Sequence, residues 1–229
     1  MDPAFAPEPF SEDYRKSLYH RMLSGVGRSF QLLRRRLGSL AEPIRAEGQR
    51  VLDAEDAVRR QILRIRDIAV AAERIRCHGH YHLGQILYTG KDFVILDFEG
   101  NPVQSLSERR IKHSQLRDVA TMLRSFHYAS EAAALGHVAG VSPGELRLAP
   151  WMDFWRHWAS VAFLRGYVGA APQKKEQITA LLDIYLLEEA IAELERQLRG
   201  SPEWAIVPLR AILQLAAGAP AGSGVENHP

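Results

Sequence analysis

The sequence predicts a mainly α protein of the α+β class, a helical bundle carrying one small β hairpin. Three observations carry that reading. Apolar residues recur at steps of three and four along both ends of the chain. Paired short apolar runs around a Gly-containing tetrapeptide occur only near the middle. A hydrophobic content of 46% over 229 residues supplies a buried core for one domain or two small ones.

The remaining composition excludes several classes. The 29 Lys and Arg against 27 Asp and Glu leave a formal charge of +2 with no long basic block, so no nucleic-acid partner is expected. The single cysteine, Cys77, rules out an intrachain disulfide framework and suits a reducing, cytoplasmic setting. No apolar run approaches the ~20 residues of a membrane helix, and the start of the chain lacks the basic-then-apolar order of a signal peptide.

Taken in order, residues 1–10 hold three prolines and read as an extended arm. From Ser11, a plausible N-cap, Tyr14, Leu18, Met22, Val26, Phe30, Leu33 and Leu37 mark a helix. Glu12 and Asp13 suit its first turn, and Arg34, Arg35 and Arg36 suit a solvated last turn before Gly38. A second helix is predicted over 42–67, with Leu52, Val58, Ile62 and Ile65 as its inner stripe. Arg74–Cys77 alternates like a strand, and a polar loop runs from His78 to Gly84. Ile86–Tyr88 and Phe93–Leu96 flank the turn Thr89-Gly90-Lys91-Asp92. Leu116, Val119, Ala120, Leu123 and Phe126 mark a helix capped by Ser114. An aromatic helix follows over 151–168, then a long helix over 173–198, and a last one opened by Ser201-Pro202-Glu203. The Gly/Ala/Pro/Ser tail, 218–229, is expected to be disordered.

The chemistry-bearing residues stand between 77 and 102. A kinase needs an acid–base group at the acceptor hydroxyl, a metal-binding amide five residues on, and a later carboxylate bridging metal to phosphates. His80 and Gln85 have that five-residue step, and the hairpin returns the chain to Asp97. An amide oxygen and a carboxylate suit Mg²⁺, which takes its other ligands from water and phosphate. Asp97 is also compatible with an ordinary turn position; the Gln85 spacing favours metal.

His78-Gly-x-x-His82-Leu-Gly-Gln85, Asp97-Phe-Glu-Gly-x-Pro102, Ser107-Glu-Arg-Arg110 and Leu116-Arg-Asp-Val-Ala-x-Met-Leu-Arg-Ser-Phe126 resemble the maltokinases. The likeness is nearest to the maltokinase module fused to the C-terminus of bacterial trehalose synthases, and it spans nearly the whole chain. It implies the C-terminal lobe of the aminoglycoside-phosphotransferase, protein-kinase-like fold over residues 1–217. It also implies transfer of phosphate from ATP to maltose, giving maltose 1-phosphate for trehalose and glycogen metabolism. Carried over, Gln85 and Asp97 become Mg²⁺ ligands, His78 and His82 support the motif, and Glu99 and later aromatic residues become candidate sugar contacts.

Two departures stand against the match. The family reads His-Gly-Asp where this chain reads His78-Gly79-His80, so an imidazole holds the catalytic acid's place. No Gly-rich phosphate loop or strand lysine precedes residue 78, so an N-terminal lobe is expected to be absent, supplied by another segment or by a trehalose synthase fusion. The isolated chain is therefore expected to transfer no phosphate at a useful rate.

Two other classes compete. A non-catalytic sugar-binding or interaction module fits the same departures, with Trp151, Trp155 and Trp158 as stacking surface, although their spacing is more often that of a core stripe. A zinc hydrolase would use His78, His80 and His82 on one strand face, but Gly79 and Gly84 favour a loop there. His113, His127 and His157 read as ordinary partly exposed residues, Cys77 as a small buried hydrophobe, and Asp118 as a helix-borne carboxylate pairing with the loop.

Overall fold

The computed structural model describes residues 4–68, 73–102, 104–134, 149–170 and 175–218. Most of the expected tail, the first three residues of the arm and the start of the predicted 173–198 helix lie outside them. The elements are β1 (Glu8–Pro9), α1 (Glu12–Arg36), α2 (Ile44–Asp53), α3 (Glu55–Leu63), β2 (Glu73–Arg74), β3 (Ile86–Tyr88), β4 (Phe93–Ile95), α4 (Leu106–Arg109), α5 (Leu116–Ala134), α6 (Ala149–Ala170), α7 (Lys175–Arg199) and α8 (Ile206–Ala216). The chain divides into two compact units, Met1–Glu8 with Glu73–Lys175, and Pro9–Ala72 with Glu176–Pro229.

The second of these units is helical. Ser11 caps α1 by accepting the Tyr14 N–H at 3.2 Å, and Leu18, Val26, Phe30 and Leu33 are fully buried along its inner face. α7 meets α1 through Arg21, which donates to Glu188 at 2.8 Å, and through Ser29, whose hydroxyl donates to the Ile191 carbonyl at 3.1 Å. The helix predicted over 42–67 is two helices. Ala54 stands at φ −88°, ψ 8°, ending α2 and opening α3, whose first turn carries Glu55 and Asp56. That break rotates the stripe, so Val51 rather than Leu52 joins Val58, Ile62 and Ile65 in the core. Gly48 lies where α2 meets the end of α1, and a Cβ there would come within 2.9 Å of the Leu37 side chain, which would have to shift.

The other unit carries the chemistry-bearing segment. Of the predicted 74–77 strand only Arg74 is regular, as the end of β2; Ile75 adds one antiparallel bridge to His113, with bonds of 2.9 and 3.0 Å. Glu8 holds both sides of this arrangement, accepting from Arg74 and Lys112 at 2.8 Å each, and the Lys112 hydrogen bond keeps its carboxyl below the usual glutamate range. The hairpin forms as predicted, with Ile86 opposite Ile95, Leu87 opposite Val94 and Tyr88 opposite Phe93. Its turn closes through the Thr89 N–H on the Asp92 carbonyl at 2.9 Å.

α5 is the base of this unit, burying Leu116, Val119, Ala120, Met122 and Leu123. Ser114 begins it, accepting the Leu116 N–H at 3.3 Å. α6 packs on α5 through Phe126, whose ring meets Trp155 and Phe163 edge-on at 6.1 and 6.0 Å. The core-stripe reading of the tryptophans fails: Trp151, Trp155 and Trp158 are 67%, 43% and 47% exposed. Spacing identifies a shared helix face, and it does not say whether a partner covers that face. His113 also departs from expectation, being buried beneath the Ile75 bridge.

The hairpin exposes Leu87, Tyr88, Phe93 and Val94, and Phe98 follows with 66% exposed. Tyr88 and Phe93 pack across the strands with ring centroids 5.2 Å apart, and exposed apolar side chains of this kind promote association. The purified chain is expected to self-associate as concentration rises, and Phe93→Lys to weaken that. Sedimentation velocity showing one monodisperse monomer at high concentration would count against it.

Candidate active site

The loop from His78 to Gln85 is anchored at its start by a half-buried acid. Asp118, on the first turn of α5, accepts the His78 N–H at 2.7 Å and the Gly79 N–H at 2.9 Å, one on each carboxylate oxygen. Burial pushes its pKa up, and these two backbone donors pull against that shift. The expected pairing of Asp118 with the loop is therefore present. The neighbouring Cys77 thiol faces the carbonyls of His113, Ser114 and Ile75 at 3.4, 3.5 and 3.6 Å. Burial pushes this thiol up to about 12, so it stays protonated and unreactive.

Two glycines allow the loop and the Asp97–Gly100 turn to approach backbone to backbone. Gly79 and Gly100 have φ of 78° and 83°. A Cβ on Gly79 would lie 3.8 Å from the Gly100 Cα, and one on Gly100 would lie 3.4 Å from the His78 carbonyl oxygen. His78 fastens the two segments further. Its Nδ1 accepts the His80 N–H at 3.3 Å, which leaves the ring proton on Nε2 to donate to the Leu96 carbonyl at 2.7 Å. Its ring lies 5.0 Å from Phe98 and 5.7 Å from Tyr81. His78 is thus a structural tie between the motif's two halves.

Gln85 ends a single 3-10 turn, Leu83–Gln85, which His82 caps by accepting the Gly84 N–H at 3.1 Å. The Gln85 carbonyl accepts the Leu96 N–H at 3.0 Å, so Gln85 lies opposite the residue before Asp97. Asp97 has φ of 58°, a left-handed backbone that costs a side-chain-bearing residue about 1–2 kcal/mol. Its side chain is exposed. Such strain persists at sites where orientation matters. These two oxygen donors fit Mg²⁺, which needs few protein ligands when phosphate supplies the rest. Asp97→Gly is expected to stabilise the unit by about 1 kcal/mol through strain relief while removing any Mg²⁺-dependent nucleotide binding. A denaturant midpoint and a magnesium-dependence titration check the two halves of that expectation. Glu99 stands exposed in the same turn.

His80 and His82 form a pair whose ring centroids lie 4.4 Å apart with perpendicular planes. Their Nε2 atoms are 3.1 Å apart. Among the described residues no group of three or more His, Cys, Asp or Glu converges as metal ligands. His78 has both nitrogens committed to backbone, so the three imidazoles do not form the zinc site weighed from sequence.

The supports missed at the sequence level are polar. The Ser125 hydroxyl accepts the Leu83 N–H at 3.2 Å. Arg109 wraps the segment after the turn, donating to the Gln104 and Pro102 carbonyls at 2.8 and 3.1 Å. Ser105 and Glu108 make a reciprocal capping box on α4, a Ser-x-x-Glu signature legible in sequence. His127 lies between two arginines, accepting from Arg156 at 2.6 Å and touching Arg124; burial first, then these charges, hold it well below the ordinary imidazole value.

A helical base that holds the His78–Gln85 loop beside the Asp97–Gly100 turn, with a hairpin between them, is the C-terminal lobe of a kinase-like fold. No protein-family model matches the chain. The chain is 31% identical over 144 residues to a glucosamine kinase of Mycolicibacterium smegmatis, a match covering 59% of this chain and 33% of that protein. It is 26% identical over 147 residues to a glucosamine kinase of Streptacidiphilus jiangxiensis, covering 62% and 32%. Among solved structures, a glucosamine kinase in crystal form B superposes with a TM-score of 0.73 at 20% identity, over 93% of this chain and 49% of that one. A glucosamine kinase in complex with glucosamine, ADP and inorganic phosphate gives 0.67 at 21% identity, over 92% and 46%. The chain thus spans about a third of the length of these curated relatives. Its homologues are sugar kinases, named for glucosamine rather than maltose.

Proposed function

We propose that this chain is the acceptor-side lobe of an ATP-dependent sugar kinase. The observation that supports the reading is the backbone approach of the His78–Gln85 loop to the Asp97–Gly100 turn, the two segments that carry His80, Gln85 and Asp97. In this reading Gln85 and Asp97 hold the nucleotide's Mg²⁺, His80 faces the acceptor hydroxyl, and Glu99 contacts the sugar. Bound Mg²⁺ would neutralise charge on the transferring phosphoryl group. The protein's own part is placement: Asp118 and His78 fix the loop, and the hairpin fixes Asp97 against it.

The relatives, glucosamine kinases by name, support glucosamine as the acceptor, while the motif resemblance supports maltose. The nucleotide-binding half of the cleft is expected from sequence corresponding to the part of the relatives this chain does not match, in the same protein or in a trehalose synthase fusion. The test is an NMR titration of the purified chain with glucosamine, maltose and Mg·ADP. Amide shifts confined to Gly79–Gln85 and Asp97–Gly100 support the site, and the sugar that produces them identifies the acceptor. No response to either sugar contradicts the reading. His80 in the acid's place favours one second reading, a non-catalytic sugar-binding lobe, which predicts sugar binding without transfer.

A further inference from the structure

Two side chains of α5 reach the loop, one towards each end. Asp118 holds its first two amides, and Ser125, seven residues further along the helix, holds Leu83, which opens the 3-10 turn ending in Gln85. That spacing is about two helical turns, so both side chains stand on one face of α5. The direction of the second contact is fixed. A backbone N–H only donates, so the Leu83 N–H gives its proton to the Ser125 hydroxyl oxygen at 3.2 Å. The hydroxyl directs its own proton back to α5, donating to the Met122 carbonyl at 2.7 Å, with the Met122 sulfur at 3.5 Å.

The turn anchored in this way does little to hold itself. It is three residues long, and 3-10 geometry makes poorer hydrogen bonds than an α-helix. The Gln85 N–H reaches the His82 carbonyl at 2.8 Å, and the Ile86 N–H reaches the Leu83 carbonyl. On the far side the Gln85 carbonyl accepts from Leu96, the residue before Asp97. We infer that Ser125 is a positioning residue for Gln85, tying to α5 the short turn that carries this amide towards the cation it shares with Asp97. This deepens the sugar-kinase reading, on whose assignment of Gln85 and Asp97 to Mg²⁺ it rests. Ser125 acts through Leu83 and is not itself a ligand. Leu83 is 37% exposed, so without the hydroxyl its N–H turns to water and the fold survives. The loss falls on the order of the turn, which metal binding must then restore.

The test is NMR of the full ¹⁵N-labelled chain, comparing the parent with Ser125→Ala and Gln85→Ala. Without metal, amide exchange with solvent at Leu83 and Gln85 is expected to quicken in Ser125→Ala. His78 and Gly79, held by Asp118, should keep the parent's rates. Mn²⁺, a paramagnetic stand-in for Mg²⁺, is then titrated, and broadening of the Asp97 and Phe98 amides gives an apparent dissociation constant. That constant is expected to rise about threefold to tenfold in Ser125→Ala, the scale of one neutral hydrogen bond, and further in Gln85→Ala. Unchanged exchange at Leu83, or equal quickening from His78 to Gln85, overturns the inference. So does a Ser125→Ala chain whose thermal midpoint falls while its Mn²⁺ constant stays at the parent's value, which marks a merely structural contact. If Gln85→Ala weakens Mn²⁺ and Ser125→Ala does not, the inference fails and the metal assignment stands. A parent constant untouched by Gln85→Ala overturns the metal assignment, and the inference with it.

Discussion

Asp118→Ala is expected to destabilise the site-bearing unit by about 2–4 kcal/mol and to release the loop above it. The carboxylate satisfies two backbone donors, those of His78 and Gly79, at 2.7 and 2.9 Å. Hydrogen bonds to a charged group are worth about 1.5–3 kcal/mol each, and orphaned buried donors add a cost. The desolvation that raises the Asp118 pKa offsets part of that sum. Asp118→Asn should cost less, because its single carbonyl oxygen can still accept one N–H. The pH dependence separates the two effects. Folded Asp118 binds its proton more tightly than the ordinary aspartate value of 3.8 allows. Its contribution to stability is therefore greatest at and below that value, declines as pH rises through the raised folded value, and is flat above it. Urea unfolding of parent and Asp118→Asn across the acid range should show that decline in the parent alone. Identical slopes would show that the Asp118 carboxyl is not held above its ordinary value.

The largest effect on activity is expected from His80→Asp. With the chain joined to the part of the Mycolicibacterium smegmatis glucosamine kinase that it does not match, the parent should transfer phosphate slowly, and His80→Asp should accelerate it. A positioned base contributes about 10²–10⁴-fold, or roughly 3–5 kcal/mol at about 1.36 kcal/mol per decade. His80 Nε2 lies 3.1 Å from His82 Nε2, a contact that competes with an acceptor hydroxyl. An aspartate would offer a second oxygen to the substrate even if His82 donated to the first. Steady-state rates of ADP release with saturating sugar measure the difference. Equal rates for parent and variant would show that position 80 is not the acid–base position.

Local chemistry made much of the fold legible. The Ser11 cap, the step-four stripe of α1, the hairpin with its four-residue turn and the Ser114 start of α5 all follow from nearest-neighbour rules, and all are present. Two features depended on more than period. The break at Ala54 is one residue leaving helical geometry, with no Gly or Pro to announce it. The exposure of Trp151 and Trp158 turns on what α6 meets, which spacing cannot encode. At the site, motif spacing placed Gln85 and Asp97 on adjoining segments, and Asp118 under the loop. It could not give the ring contact between His80 and His82, because that contact depends on the rotamers the loop imposes. Nor could it give the left-handed backbone of Asp97, whose type tolerates that conformation without requiring it.

The central claim is that this lobe presents a sugar to a nucleotide-bound Mg²⁺ at Asp97. The most direct measurement is sugar-dependent ADP release by the joined protein carrying His80→Asp, with and without Asp97→Asn. The account predicts release that requires both sugar and Mg²⁺ and falls at least a hundredfold, about 2.7 kcal/mol, in the Asp97→Asn variant. Release that is independent of sugar, or undiminished by Asp97→Asn, would contradict it.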